Sequence, residues 1–278
     1  GTLEVTQRAI EITADSDTKV YDGTALTNAG SSITDGTLVE GHTYTATLTG
    51  SQTTVGESAN VASAAVIKDA SENDVTANYQ VSYVAGTLEV TQRAIEITAD
   101  SDTKVYDGTA LTDSGSEITT GTLVEGHTYT ATLTGSQTTV GESANVASAA
   151  VIKDASENDV TSNYQISYVA GTLEVTQRAI EITADSDTKV YDGTALTDSG
   201  SEITTGTLVE GHTYTATLTG SQTTVGESAN VASAAVIRDA SENDVTSNYQ
   251  ISYVAGTLEV TTRAIEITAD SDTKVYDG

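Results

Sequence analysis

The chain has 278 residues and carries 40 Asp plus Glu against 11 Lys plus Arg, a net charge of -29, so phosphate backbones and anionic membranes are repelled. It has no Cys, Trp, Phe, Met or Pro, which excludes disulfides, thiolate metal sites, cysteine nucleophiles and thioester cross-links. Tyr is the only aromatic left to build the varied pocket an enzyme uses, and no apolar run approaches the ~20 residues that cross a bilayer.

Self-similarity organises what remains. The string GTLEVT begins at Gly1, Gly86, Gly171 and Gly256, a period of 85 residues. The first unit differs from the second at six positions, among them Asn28 against Asp113, Ser32 against Glu117 and Val81 against Ile166. The second differs from the third only at Lys153 against Arg238. Such a period exceeds the roughly 20–45 residues of a solenoid coil and suits a small self-contained domain. The expectation is therefore beads on a string.

Within one unit, residues 9–13 alternate with Ile10 and Ile12 inward, which predicts a strand with one dry face. Gly23, Gly30, Gly36, Gly41, Gly50 and Gly56 then punctuate the unit as turns. Residues 43–49 alternate Thr with Tyr44, Ala46 and Leu48, a second half-buried strand. The Ala-rich run 58–68 fits a helix by propensity, but its alternation favours a strand buried on both faces. Residues 79–83 and 87–90, separated by Ala85-Gly86, predict a closing hairpin. Thr fills 15 of the first 85 positions, which suits β-structure.

Domain boundaries follow from phase. Leu3 and Val5 are apolar at odd positions and Ile10 and Ile12 at even ones, and a single strand cannot change phase without a bulge or break. The junction is placed at Thr6-Gln7-Arg8, giving complete repeat domains at 8–92, 93–177 and 178–262. Residues 1–7 are then expected to be the last strand of a preceding repeat, and 263–278 the start of an incomplete fourth. A linker of two or three residues holds neighbours in a nearly fixed orientation.

Candidate chemistry is sparse. His42 recurs as His127 and His212, without a second His or any Cys in the unit, so a solvated turn histidine is favoured over a base or metal ligand. Asp15, Asp17 and Asp22, and Asp69, Glu72 and Asp74, form acidic clusters that calcium could use, or a solvated acidic surface; the surface reading is favoured. Lys19 recurs as Lys104, Lys189 and Lys274, and Asn60 and Asn78 are conceivable acceptors for a lysine isopeptide bond, against the favoured reading of a surface lysine. Lys68 is a poorer candidate because Arg238 replaces it in the third unit. Thr43, Thr45, Thr47 and Thr49 form a ladder read as an ordinary exposed strand face. Catalytic, cofactor-binding and metal residues are accordingly expected to be none.

The run from Ile10 to Thr24, ITADSDTKVYDGT at its heart, resembles the opening of the YDG/MBG-type tandem repeats of bacterial cell-surface adhesins. The run from Asp74 to Val90, DVTANYQVSYVAGTLEV, resembles their closing segment. The resemblance covers about half of each unit at its two ends, and residues 28–60 match only loosely. It implies a mainly β fold of tandem small β domains, β-grasp-like or sandwich-like, arranged end to end as an extended rod. It also implies an extracellular stalk at the bacterial cell surface, wall-anchored through a region outside this chain. The stretch from Gly1 to Val5 has no signal-peptide pattern, so the address is expected elsewhere.

The leading expectation is a structural stalk or spacer that projects a separate binding domain away from the cell. The alternative is a multivalent adhesive array in which each repeat binds host glycan or matrix protein weakly. An enzyme is not expected. Partners are neighbouring repeats in the same chain, and surface ligands only through a domain not present in this chain. The family's unit and the phase flip together predict that strands at 9–14 and 87–91 are parallel neighbours. Pulling would then shear their whole ladder at once, and the ~70 residues between them supply the crossover that parallel pairing needs.

Overall fold

The computed structural model describes all 278 residues. The first repeat forms β1 (Arg8–Ala14), β2 (Asp17–Val20), β3 (Ser31–Gly36), β4 (Thr43–Thr49), β5 (Gly56–Lys68), a 3-10 turn (Thr76–Asn78), β6 (Tyr79–Val84) and β7 (Gly86–Thr91). The second repeat gives β8 to β14, from Arg93–Ala99 to Gly171–Thr176, and the third β15 to β21, from Arg178–Ala184 to Gly256–Thr261, in the same order. No α-helix forms, and the fold is mainly β in tandem repeats as expected.

Each repeat builds two sheets. In the first, β1 lies between β3, to which it is antiparallel, and β6, to which it is parallel. In the second the order is β2-β7-β5-β4, with β7 parallel to β2 and antiparallel to β5. The parallel pairs share one register. Arg8 to Thr13 face Tyr79 to Val84, and Asp17 to Val20 face Leu88 to Thr91, each partner 71 residues further on. The opening ribbon 8–20 thus runs alongside the closing ribbon 79–91, and both step from one sheet into the other at the same level. Thr87 N–H donates to Ser16 Oγ at 2.9 Å and fills the gap in the ladder. At the step the backbone of Gly86 lies so close to the carbonyls of Ala14 and Asp15 that a Cβ would strike both.

Two expectations need correction here. Residues 79–84 and 86–91 are not a hairpin; they are collinear strands in different sheets. Nor do residues 9–14 pair with 87–91: β1 pairs with β6, and β7 with β2. The cause is a second phase flip, between Val81 and Leu88, which marks a change of sheet. The terminal segments are still parallel neighbours, but as ribbons of two strands each.

The Ala-rich run is the strand β5, inside the second sheet, and it corrects a third expectation: it is buried on one face only, with Val61 and Val66 exposed on the other. Residues 56–60 pair with β7, and 61–68 pair with β4. A bulge separates part of the second half, where the register shifts between Thr45 and Thr47 and Ala64 takes φ 48°. Beyond it Ala65 and Ile67 turn inward, and with Ala62 they close over Ile10, Ile12, Ala14 and Tyr79 in one buried cluster. Tyr83 Oη accepts the Ala65 N–H at 2.9 Å, satisfying an amide the bulge frees from the ladder.

By contacts the chain divides into two compact units: 1–100 with 113–134 and 145–171, and 101–112 with 135–144 and 172–278. Their boundary falls inside the second repeat. The first unit contains a buried cluster that joins Tyr21, Leu26, Leu88 and Val90 of the first repeat to Ile95, Ile97, Ala99, Ile152 and Tyr164 of the second. The second contains the equivalent, joining Tyr106, Leu111, Leu173 and Val175 to Ile180, Ile182, Ile237 and Tyr249. Residues 1–7, expected to be a strand, form none, and Leu3 and Val5 are fully exposed. The sequence forms β7 only where strands like β2 and β5 flank it.

An L-residue in the left-handed region costs about 1–2 kcal/mol relative to the right-handed one. Replacing Ala64, Ala149 and Ala234, all at φ 48°, with Gly is therefore expected to stabilise the fold by about 1 kcal/mol per site and so to raise the thermal midpoint. A midpoint that falls in scanning calorimetry contradicts the bulge assignment.

Candidate functional site: the repeat junction

The motif Lys19-Val20-Tyr21-Asp22-Gly23-Thr24 folds into a locked turn at the end of β2. Lys19 Nζ donates to Asp22 Oδ1 at 2.6 Å, Thr24 O at 2.6 Å and Thr24 Oγ1 at 2.8 Å. Asp22 Oδ1 also accepts from Thr24 N–H and Thr24 Oγ1, each at 2.8 Å. The bond from Lys19, followed by those from Thr24, lowers the Asp22 pKa to about 2. Asp107 and Asp192 are lowered by the same partners, Lys104 with Thr109 and Lys189 with Thr194. Gly23 supplies the turn with φ 78°, and a Cβ there would press on Val124 Cγ1 of the next repeat.

The turn aims the Tyr21 ring at the second repeat. The Tyr21 N–H donates to Thr91 O at 2.9 Å, so the ring is anchored beside the strand that leaves the repeat. It meets the Tyr164 ring edge-on at 5.7 Å between centroids and lies 6.2 Å from the His127 ring. Tyr164 Oη in turn accepts the Val124 N–H at 3.1 Å and shares a 2.8 Å hydrogen bond with His127 Nδ1. Burial, then the neighbouring Tyr164, Asp154 and Asp22, raises the Tyr21 pKa; burial raises that of Tyr164.

Polar contacts frame the aromatic cluster. The Val55 N–H donates to Asn163 Oδ1 at 2.9 Å, Arg93 Nη1 donates to the Tyr21 carbonyl at 3.4 Å, and Gln92 Nε2 donates to Ser162 O and Tyr164 O. The same set recurs between the second and third repeats, with Tyr106 on Tyr249 and His212, Val140 on Asn248, and Arg178 on Tyr106. Tyr21 and Tyr106 are 5% and 4% exposed, whereas Tyr191, which no later complete repeat covers, is 41% exposed.

The sequence candidates sort themselves against this geometry. His127 and His212 are not solvated turn residues: each is half-buried and bonded to a tyrosine hydroxyl that packs on the preceding repeat. Lys19, Lys104 and Lys189 hold their own turns, while Asn60 Nδ2 donates to Asp15 O and Asn28 O, so the structure does not bring lysine and Asn60 together. The Asn60 Oδ1 is buried without a partner, as are those of Asn145 and Asn230. Asn78 is exposed, but its counterparts Asn163 and Asn248 are junction acceptors.

The acidic groups act as local caps. Asp69 accepts from Ser71 and Asn73, Asp74 from Thr76, and Asp17 from Thr18; no cluster of three potential metal-ligating side chains forms. Lys68 pairs with Glu72 at 3.0 Å, and Arg238 in the same place bonds to Glu242 O at 2.7 Å, so both tether one loop. Thr43, Thr45, Thr47 and Thr49 face outward as read. Tyr21 was absent from the candidates, although an aromatic residue in a charged turn is itself a signal of something that covers it.

No family model matches the chain, and no curated protein matches it. Among solved structures it is similar to SGBP-B of a Bacteroides ovatus mixed-linkage glucan utilization locus, solved in complex with a mixed-linkage heptasaccharide. The identity is 11% over 90% of this chain and 66% of that one, with a TM-score of 0.16. It is also similar to PcdhgB3 EC1-4, with 9% identity over 93% and 75% of the two chains and a TM-score of 0.23. Both scores lie far below the range of a shared fold.

Truncating Tyr106 to Ala removes a ring buried across a junction and is expected to cost about 3 kcal/mol. Truncating the exposed Tyr191 is expected to change stability by less than about 0.5 kcal/mol. Denaturant unfolding of the two variants checks this, and equal losses contradict the junction.

The Asp22 pKa is lower folded than unfolded, so its stabilisation is complete above the unfolded carboxylate value of about 3.9 and is lost as pH falls through about 2. The triple variant Asp22→Asn, Asp107→Asn, Asp192→Asn is expected to melt lower than the parent at pH 7. Its midpoint should also depend less on pH in the acid window. Parallel midpoint-against-pH curves contradict the role of the turn.

Proposed function

We propose that these repeats are stalk repeats of a bacterial cell-surface adhesin, an extracellular spacer that holds a separate binding domain away from a wall anchor. The observation that carries this reading is the junction. Successive repeats are joined by buried tyrosine, shared hydrogen bonds and one continuous apolar cluster, where a flexible tether would need only a polar linker. A spacer transmits position only if its joints are stiff. The YDG/MBG-type resemblance of the opening and closing segments supports the same role.

The ribbons suit a tether under load. The chain enters a repeat at Arg8, beside Tyr79, and leaves at Thr91, beside Val20. Tension on these two points slides the parallel ribbons along each other and loads all ten residue pairs together. That geometry raises the unfolding barrier, the stability that matters to a tethered chain.

A second reading has one observation in its favour. Each repeat exposes the same Tyr-Val pair, Tyr83 with Val84 at 40% and 41%, repeated at Tyr168 with Val169 and at Tyr253 with Val254. Three copies of a weak site for glycan or matrix protein would act through avidity.

Small-angle scattering tests the spacer. Three 85-residue domains of about 30 Å each, joined end to end, give a maximum dimension of roughly 100 Å. A compact particle near 50 Å, about the diameter expected for one globule of this length, sinks the proposal. Binding of a single repeat to a glycan or matrix panel, lost on Tyr→Ala at the exposed pair, would favour the adhesive array.

A further inference from the structure

Each repeat leaves a long sheet edge unpaired. β4 ends the second sheet, with β5 on one side and no strand on the other. The direction of its backbone groups follows from β5. Ile67 N–H donates to Thr76 Oγ1 and Ile67 O accepts the Val75 N–H, each at 2.8 Å, so both groups point away from β4. Tyr44 lies opposite Ile67, so the two share no ladder bond, and the Tyr44 N–H and C=O point away from β5. Direction alternates along a strand, so the backbone groups of Ala46 and Leu48 point the same way. None of them finds a partner in the chain. Ile152 and Ile237 make the same bonds, and so turn out the backbone groups of Tyr129, Ala131 and Leu133 on β11 (Thr128–Thr134) and of Tyr214, Ala216 and Leu218 on β18 (Thr213–Thr219).

This edge lacks the usual defences. Outer strands are commonly blunted by short length, charge, Pro or bulges. β2 is four residues long and carries Asp17 and Lys19. β3 shifts register against β1, and its counterparts carry Glu117 and Glu202. β6 is tied to β5 through the bond from Ala65 N–H to Tyr83 Oη. β4 is seven residues, TYTATLT, uncharged and identical in all three repeats. It is also regular, because the extra residue of the bulge lies on β5. Tyr44, Ala46 and Leu48 are half-buried toward the core, and the four Thr face outward. Tyr44 Oη donates to Ser31 O at 2.7 Å, which holds the start of β3 on the inner side, out of the plane in which a further strand would add.

We infer that β4 is a self-association edge, which pairs antiparallel with the equivalent strand of a second copy. The strand is nearly palindromic about Ala46. With Ala46 opposite the second copy's Ala46, Tyr44 meets Leu48, so the outward-pointing backbone groups meet one another and form about six hydrogen bonds. Thr45 then meets Thr47 and Thr43 meets Thr49 on the outer face, cross-strand pairs of the kind that stabilise a sheet. Charge selects the occupant. A basic peptide would find no carboxylate on this strand, whereas an identical strand meets no like charge there, in a chain of net charge -29. The contact is strand addition, and with three such edges per chain association is not limited to two copies.

The test is sedimentation equilibrium of the full chain up to about 1 mM, in about 0.05 M and about 0.5 M salt. The expected result is a mass that rises above 28.6 kDa with concentration, and rises further in high salt, where the repulsion between acidic chains is screened. Amide exchange at Ala46, Ala131 and Ala216 is expected to slow as the mass rises. Thr45→Lys with Thr47→Lys, repeated at Thr130, Thr132, Thr215 and Thr217, sets lysine against lysine across the contact. It is expected to weaken association at least about tenfold, although the added lysines make the whole chain less self-repelling. Glu in place of Lys at Thr47, Thr132 and Thr217 sets each lysine against a carboxylate and is expected to restore association. A parent that stays at 28.6 kDa in both salts overturns the inference. So does association that leaves those alanine amides unprotected, or a lysine variant that associates as the parent does. Protection of the same amides only by an added lysine-rich extended peptide would give the edge a different occupant, and overturns self-pairing.

Discussion

Tyr21 reaches out from its own repeat and buries its ring against Tyr164 of the next. Much of the structure follows from that contact. The ring must project from a turn, so the turn must be rigid, and Lys19, Asp22 and Thr24 make it so with mutually satisfied charge and hydrogen bonds. The receiving surface needs a polar partner for a buried hydroxyl, and His127 provides one to Tyr164 while packing on Tyr21. The YDG string is therefore a joint whose two halves lie in different repeats. A chain so poor in aromatic residues concentrates some of its few tyrosines where they do most for cohesion.

The same constraint explains why two sheets divide each repeat. A small domain with only Val, Ile, Leu, Ala and Tyr for its interior has little core to bury alone. Here the sheet of β2, β7 and β5 turns its apolar side, Leu88 and Val90, toward the following repeat, so the two share one cluster. β5 makes this possible by pairing with β7 along its first half and with β4 along its second, with the bulge at Ala64 re-aiming its later residues at the core of its own repeat. Stability is thereby coupled along the chain, as nearest-neighbour terms couple repeat arrays.

Much of this was legible in the sequence. Strict alternation located β1 and β4, and alternation within the Ala-rich run favoured strand over helix correctly. The phase flip after Val81 is as plain in the letters as the one after Val90. What the letters do not separate is a turn from a step between sheets, because Ala85-Gly86 serves either. Gly86 is required for the close approach of Ala14 and Asp15, a contact with residues some 70 positions earlier that no local pattern reports. His42 was located at a turn but not given its role, for a similar reason. Its partner Tyr79 is 37 residues away, and the tyrosine that packs on its counterpart His127 belongs to another repeat. Lys19 and Asp22 drew attention as chemistry because charge is conspicuous; Tyr21 between them, which their bonds position, did not.

Stiff joints between successive repeats are the heart of the account, and amide hydrogen exchange on segmentally labelled, dilute chain reads them directly. The Val55 and Val140 amides lie in loops and are held only by Asn163 and Asn248 of the following repeat, while the Val225 amide has no such partner. The account predicts that Val55 and Val140 are protected to nearly the level of the buried strands and that Val225 exchanges as an open loop. Equal, rapid exchange at all three would mean that the repeats are independent beads and that the junction does not hold.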